Sequence, residues 1–150
     1  AYYTSVVTNA YRMAVDIYRK DPEHFELPQW VKDEVFKVSH RKYCTGFFFG
    51  HPKESQYYET SGYIREYDVV AIVDECKDGK IYATQRNRFF KGDTVEILAP
   101  QQPPVTVTLD TILDENGTEI ETANKATMKL ILPCEYTFPK NSIIRIQKKD

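Results

Sequence analysis

Apolar residues in the first twenty positions recur at steps of three or four. Tyr3, Val6, Val7, Ala10, Tyr11, Ala14 and Tyr18 fall in one stripe of a helix, with Arg12, Asp16, Arg19 and Lys20 largely elsewhere. Asp21-Pro22 ends that helix, because proline excludes its predecessor from helical geometry. A second, short helix is predicted from Pro28 to about Lys37. Proline suits its first position, and Trp30, Val31, Val35 and Phe36 form its buried side. From Ser39 to Tyr63 the periodicity disappears, and three glycines, two histidines and seven aromatic residues occupy the stretch. A connection this long is either functional or a tie between subdomains.

Beyond it the period becomes two. Tyr67 to Val73, Lys80 to Asn87, Thr94 to Leu98, Val105 to Leu113, Thr127 to Leu132 and Ile143 to Ile146 read as strands. Asp78-Gly79, Lys91-Gly92-Asp93 and Asn116-Gly117 read as turns. The prediction is an α+β chain: N-terminal helices followed by a closed antiparallel β-barrel of about six strands. It divides the chain at the change of period. Residues 1–61 are a helical segment with its aromatic loop, and residues 62–150 are the barrel. Burial of Tyr43, Phe47, Phe48, Phe49, Tyr57 and Tyr58 is expected to pack the loop on both parts. Only its tip, His51 to Gln56, is expected to be mobile.

Composition narrows the function classes. The 150 residues carry 20 Lys plus Arg against 22 Asp plus Glu, a net charge of −2. That excludes a strongly basic nucleic-acid binder and leaves room only for a local basic patch. With 41% hydrophobic and 28% charged residues the chain is not of the disordered class. The 11 Tyr and 8 Phe are the unusual feature. Tyrosine at that level serves half-buried strands and wet aromatic surfaces alike. The three cysteines, Cys44, Cys76 and Cys134, form no C-x-x-C pair, and their odd number precludes a full disulfide framework. A reducing, cytoplasmic setting is the expectation.

Catalytic chemistry finds little purchase in the motifs. Cys44 lies four residues from His40, the one arrangement that could provide a thiolate and its base. Asp33-Glu34 and the Glu66/Asp68 pair read as solvated faces. His24, His40 and His51 lack zinc spacing, and no phosphate or dinucleotide fingerprint is present. No metal and no cofactor are expected. Binding chemistry is better represented. Arg86, Arg88 and Lys91 flank Phe89 and Phe90, and Arg41 and Lys42 precede Tyr43, with Arg65 a further member. Cations beside aromatic faces grip phosphates and stack on unpaired bases. The alternative places Phe89 and Phe90 in the core, with the arginines reaching out to solvent.

Several segments resemble the C-terminal region of the U32 peptidases, the collagenase-like proteases. They are Val7-Thr8-Asn9-Ala10-Tyr11-Arg12-Met13-Ala14, Val38-Ser39-His40-Arg41, Thr45-Gly46-Phe47-Phe48-Phe49-Gly50, Ser61-Gly62-Tyr63-Ile64-Arg65-Glu66-Tyr67, Gln85-Arg86-Asn87-Arg88-Phe89 and Gly92-Asp93-Thr94-Val95-Glu96-Ile97-Leu98-Ala99-Pro100. The resemblance implies a TIM-like catalytic domain N-terminal to this region, with residues 1–20 as the last helix leaving it. It also implies a barrel similar to the second domain of translation elongation factors, a likeness that Lys91-Gly92-Asp93 and Phe138-Pro139-Lys140-Asn141-Ser142 fit. The family name says protease, yet some relatives are linked to hydroxylation of RNA bases. The family motif resembles Thr at the Cys44 position, which counts against a cysteine nucleophile there. The favoured expectation is a non-catalytic accessory module. It would dock on the catalytic domain of the same parent chain and help recognise a protein or RNA substrate. The alternative is a self-sufficient collagenase-like hydrolase.

Overall fold

The structure, a computed structural model, describes residues 1–41, 43–51 and 62–148. Two helices come first, α1 (Tyr2–Lys20) and α2 (Gln29–Glu34). Nine strands follow: β1 (Tyr67–Lys77), β2 (Lys80–Gln85), β3 (Phe89–Phe90), β4 (Thr94–Leu98), β5 (Val105–Thr108), β6 (Leu113–Asp114), β7 (Thr122–Ala123), β8 (Lys129–Pro133) and β9 (Ile143–Gln147). Seven of them form one antiparallel sheet in the order β5-β4-β9-β1-β2-β8-β6, and β3 pairs with β7 in a small second sheet. The α+β class is as expected, and five of the six expected strands appear near their expected places.

The turn chemistry explains the hairpins. Asp78 and Gly79 both have positive φ, 51° and 70°, as the two-residue turn between β1 and β2 requires. At the Asn116-Gly117 turn, the Asp114 carboxylate accepts from the Asn116 and Thr118 amides, each at 2.9 Å. Polar caps of this kind fix a loop that has little apolar surface of its own.

The expected closed barrel is an open half-barrel, with β5 and β6 as the two edges of its main sheet. The reason lies in the stretch expected as one strand from Val105 to Leu113. It breaks after Thr108. The Leu109 amide bonds to the Asp93 carbonyl at 2.9 Å, and the Leu109 carbonyl accepts from Gly92 at 2.8 Å. Leu109 and Ile112 both turn into the core, where they are almost fully buried. The chain therefore leaves one edge as β5 and returns at the other as β6.

Strand alternation sorts side chains onto two faces. Val95 and Ile97 of β4, Ile81 and Ala83 of β2, and Leu130 and Leu132 of β8 point into the main core with Phe89 and Phe138. The opposite face of the sheet meets the helices. There Leu98 and Ile143 pack with Val6 of α1 and Val38, and Val69 and Ile72 join them. β9 is consequently covered on both sides, which is why Ile143, Ile144 and Arg145 are all buried. A register shift between Val69 and Ala71 lets the consecutive residues Val70 and Ala71 both enter the core. The Gln101 amide reaches the Asn9 side chain at 2.9 Å and so pins α1 to the loop after β4.

Three expectations about the first half change. The α1 stripe splits: Val6 and Ala10 are buried, whereas Tyr3, Tyr11 and Tyr18 stay exposed. α2 stops at Glu34, because Phe36 and Lys37 donate to carbonyls three residues back and tighten the chain into a turn. Phe36 is thereby left half exposed. The loop aromatics do not pack as expected either. Phe47, Phe48 and Phe49 are 72%, 86% and 81% exposed in two tight turns closed by the Phe48 and Gly50 amides. Those turns fold the loop onto itself rather than onto the sheet. Tyr57, Tyr58 and nearly all of the loop tip lie outside the described residues.

Candidate functional site

The basic residues singled out by sequence are held in three different ways. Gln85, the last residue of β2, is buried, and the next two residues are strapped to β1. The Arg86 and Asn87 amides donate to the Val70 carbonyl at 2.7 and 3.2 Å, and the Asn87 side chain donates to the Val69 carbonyl at 2.8 Å. With the backbone fixed, period-two alternation sends Phe89 inward and both Arg88 and Phe90 outward. The Arg88 guanidinium then lies over the Phe90 ring at 5.4 Å. Of the two phenylalanines only Phe89 enters the core, so half of the burial alternative holds.

A second cation–aromatic pair forms at the entrance to β1. His40 and Ile64 make a two-bond backbone bridge, at 3.1 and 2.8 Å. That bridge brings the loop after α2 alongside the chain leading into β1. The Arg41 guanidinium sits over the exposed Tyr63 ring at 5.1 Å. Arg65 follows directly but is engaged with Asp68 at 2.6 Å. These backbone contacts trace a connected path from Arg41 and Tyr63, through Arg65 and Val69–Val70, to Arg86 and Arg88.

Lys91 is of the third kind. Its ammonium is 2.7 Å from Glu119 and 3.4 Å from Glu121. The hydrogen bond and charge of Glu119, aided by Glu121, raise its pKa, and its charge is locally neutralised. Lys42 lies outside the described residues. Arg41, Arg86 and Arg88 thus remain as exposed cations with no ion-pair partner among the described residues, and two of them lie on aromatic faces.

The Cys44–His40 arrangement takes a different form from a nucleophile and its base. Cys44 is exposed. His40 is buried, its Nδ1 lies 2.8 Å from the Val38 carbonyl oxygen, and its ring stacks on Tyr43 at 4.6 Å. That nitrogen must carry the proton, and no hydrogen bond joins the imidazole to Cys44 among the described residues. No group of three or more His, Cys, Asp or Glu side chains able to hold a metal occurs among them. No helix among them is long and apolar enough to cross a membrane.

Pattern reading missed a charge cluster between the helices and the sheet. Arg145, fully buried on β9, donates from Nη2 to Glu34 Oε1 and to Glu96 Oε2, both at 2.6 Å. Its Nη1 reaches the Tyr2 hydroxyl at 3.3 Å. The Lys37 ammonium bonds both oxygens of Glu96 at 3.0 Å and lies 3.0 Å from Glu34. The Tyr67 ring packs beneath both cations, 5.3 Å from Lys37 and 5.1 Å from Arg145. Burial alone would raise the Glu96 carboxyl, but the hydrogen bonds from Lys37 and Arg145 outweigh it and hold its pKa low. Burial likewise works against Lys37, yet bonding to Glu96 and Glu34 leaves its pKa raised. Glu34, expected on a solvated face, is the cluster's anchor on α2. The available signal was an Arg and a Glu each set among apolar residues of a strand, Ile144-Arg145-Ile146 and Val95-Glu96-Ile97. All of these groups point at one another, which makes the cluster a joint between the helices and the sheet.

Comparison with known proteins identifies the family. Residues 65–145 match the model of the peptidase family U32 C-terminal domain, and residues 1–57 match that of peptidase family U32. The chain is 35% identical over 125 residues to a Bacillus subtilis (strain 168) protein named tRNA hydroxylation protein P1. The match covers 81% of this chain and 30% of that relative, so the chain spans under a third of the relative's length. In fold it is similar to the crystal structure of the C-terminal domain of a candidate U32 peptidase from Geobacillus thermoleovorans. The TM-score is 0.50 at 24% identity, covering 52% of this chain and 98% of that one. With the C-terminal-domain model matched across all nine strands from the start of β1 into β9, the chain belongs to peptidase family U32.

Proposed function

We propose that this chain is a non-catalytic accessory module of a longer U32 family protein, and that it helps recognise an RNA substrate. The observation that carries the reading is the exposed arginine path. Arg41 on Tyr63 and Arg88 on Phe90 each combine a cation with an exposed ring, and Arg86 stands beside them without an acidic partner. Such pairs suit phosphates and unstacked bases of a folded RNA. The net charge of −2 makes binding depend on this path rather than on bulk attraction. A relative named for tRNA hydroxylation makes tRNA the first RNA to try. In this reading the setting is cytoplasmic, and residues 1–61 and 62–150 act as a connecting helical segment and the recognition domain. Substrate chemistry belongs to the remainder of the longer protein.

The test is filter binding of tRNA to the 150-residue chain at two salt concentrations, with the double variant Arg86→Glu, Arg88→Glu alongside. Wild type should show salt-sensitive retention and the variant none, with unchanged circular dichroism. Affinity should fall with a slope of about −0.7 in log–log form for each phosphate contacted on single strands. Absence of salt-sensitive retention by wild type would reduce the path to a solvated surface.

A further inference from the structure

α1 carries a second apolar face that stays exposed among the described residues. Tyr3, Tyr11, Val15 and Tyr18 share one side of the helix, all exposed, with Tyr11 the most open at 68%. They lie beside, not among, the residues Val6 and Ala10 that α1 buries. The face continues at both ends. Tyr18 packs edge-on against Phe25 at 5.4 Å. At the other end the Tyr43 hydroxyl lies near those of Tyr3 and Tyr11, and burial together with those neighbours raises its pKa. Tyr43 in turn meets Phe36 edge-on at 5.4 Å. Contiguous apolar surface of this extent is uncommon on a self-contained domain and marks a contact surface. Tyrosine rings with polar hydroxyl tips fit a partner that is apolar but rimmed with hydrogen-bond acceptors.

We propose that this aromatic face of α1 is the docking surface for the part of a full-length family protein that lies outside these 150 residues. Two observations choose this occupant over a second copy of the chain. α1 falls in residues 1–57, which match the model of the family at large rather than that of its C-terminal domain. The Bacillus subtilis relative extends well beyond the matched region, which is 30% of its length. The inference deepens the accessory-module reading by naming where the module is held. The RNA path involves different residues, so the two can fail separately.

Hydroxyl-radical footprinting of the tyrosine side chains tests it, comparing the 150-residue chain with the full-length protein. In the full-length protein, labelling of Tyr3, Tyr11 and Tyr18 should drop to the level of the buried Phe89. A double variant, Tyr11→Lys with Tyr18→Lys, should restore labelling at Tyr3 and lower the unfolding midpoint of the full-length protein. It should lower the midpoint of the 150-residue chain far less, since both side chains are at least half exposed there. The variant Arg86→Glu, Arg88→Glu should keep Tyr3, Tyr11 and Tyr18 protected. Equal labelling in both proteins would overturn the proposal. So would protection already present in the 150-residue chain, accompanied by a dimeric mass in light scattering.

Discussion

Arg145 on β9 stands directly opposite Glu96 in the register of β4, and its Nη2 and Nε both bond to Glu96 Oε2, at 2.6 and 2.9 Å. The same Nη2 holds Glu34, which comes 111 residues earlier in the chain. One guanidinium thus ties two neighbouring strands to the second helix. Breaking a buried pair by removing one partner costs about 3–5 kcal/mol, because the other charge is left unpaired. Arg145→Ala should lower stability by that order in urea unfolding. A loss below about 1 kcal/mol would mean that water solvates the cluster.

The pH dependence follows from Glu96 and Lys37. Glu96 is held below its ordinary value of 4.5 by Lys37 and Arg145. Its stabilisation is therefore complete above that value and is lost as pH falls through the depressed one. Lys37 has a raised pKa against an ordinary 10.5. Its share is present below 10.5 and disappears as pH rises through the raised value. Stability curves from pH 2 to 7 for wild type and Glu96→Gln check the acid limb. The variant should be less stable near neutrality, and the two curves should converge in acid.

Lys91 and Arg88 stand three residues apart, yet they should respond differently to substitution. Lys91 is neutralised by Glu119 and Glu121, whereas Arg88 has no ion-pair partner among the described residues. Lys91→Ala should leave tRNA retention unchanged. Arg88→Ala should weaken it and flatten the salt dependence by about 0.7 in slope, one phosphate contact. Equal losses in the two variants would show a diffuse charge effect instead of a path.

Phe48 and Phe89 test how unevenly aromatic side chains contribute. Phe89 is 1% exposed in the main core, and Phe48 is 86% exposed. Phe89→Ala should cost about 3–5 kcal/mol. Phe48→Ser should change chemical-denaturation stability by less than about 0.5 kcal/mol.

The helices and the long strands were legible because each is a local periodicity. β1, β2, β4, β8 and β9 needed only alternation and turn residues to be found. β6 and β7 were not legible, since two-residue strands leave no pattern. The break at Leu109 depends on a bond to Asp93, a contact between separate segments. Glu34 was misread for the same reason: it follows Asp33 in an acidic pair, and its partner Arg145 is distant in the chain. Phe47, Phe48 and Phe49 were misread in the other direction. Apolar character predicted burial, although burial depends on what else is near. In the candidate site, Arg86 and Arg88 could be picked out from composition. That Lys91 is paired with carboxylates could not, because Glu119 and Glu121 belong to another part of the chain.

The place of β9 between β4 and β1 has a consequence for biosynthesis. When a nascent chain has emerged from the ribosome as far as Phe138, β5 and β4 can pair in one piece, and β1, β2, β8 and β6 in another. Nothing yet joins the two pieces through the main sheet, and β4 and β1 each present an unpaired edge, the kind of template on which chains aggregate. Only when Ile143 to Gln147 clears the exit tunnel are both edges satisfied at once, and only then does Arg145 arrive to draw in α2. Folding of this module should therefore be a single late event. An arrest-peptide series should place its force peak after Gln147 emerges, with none at the end of β8.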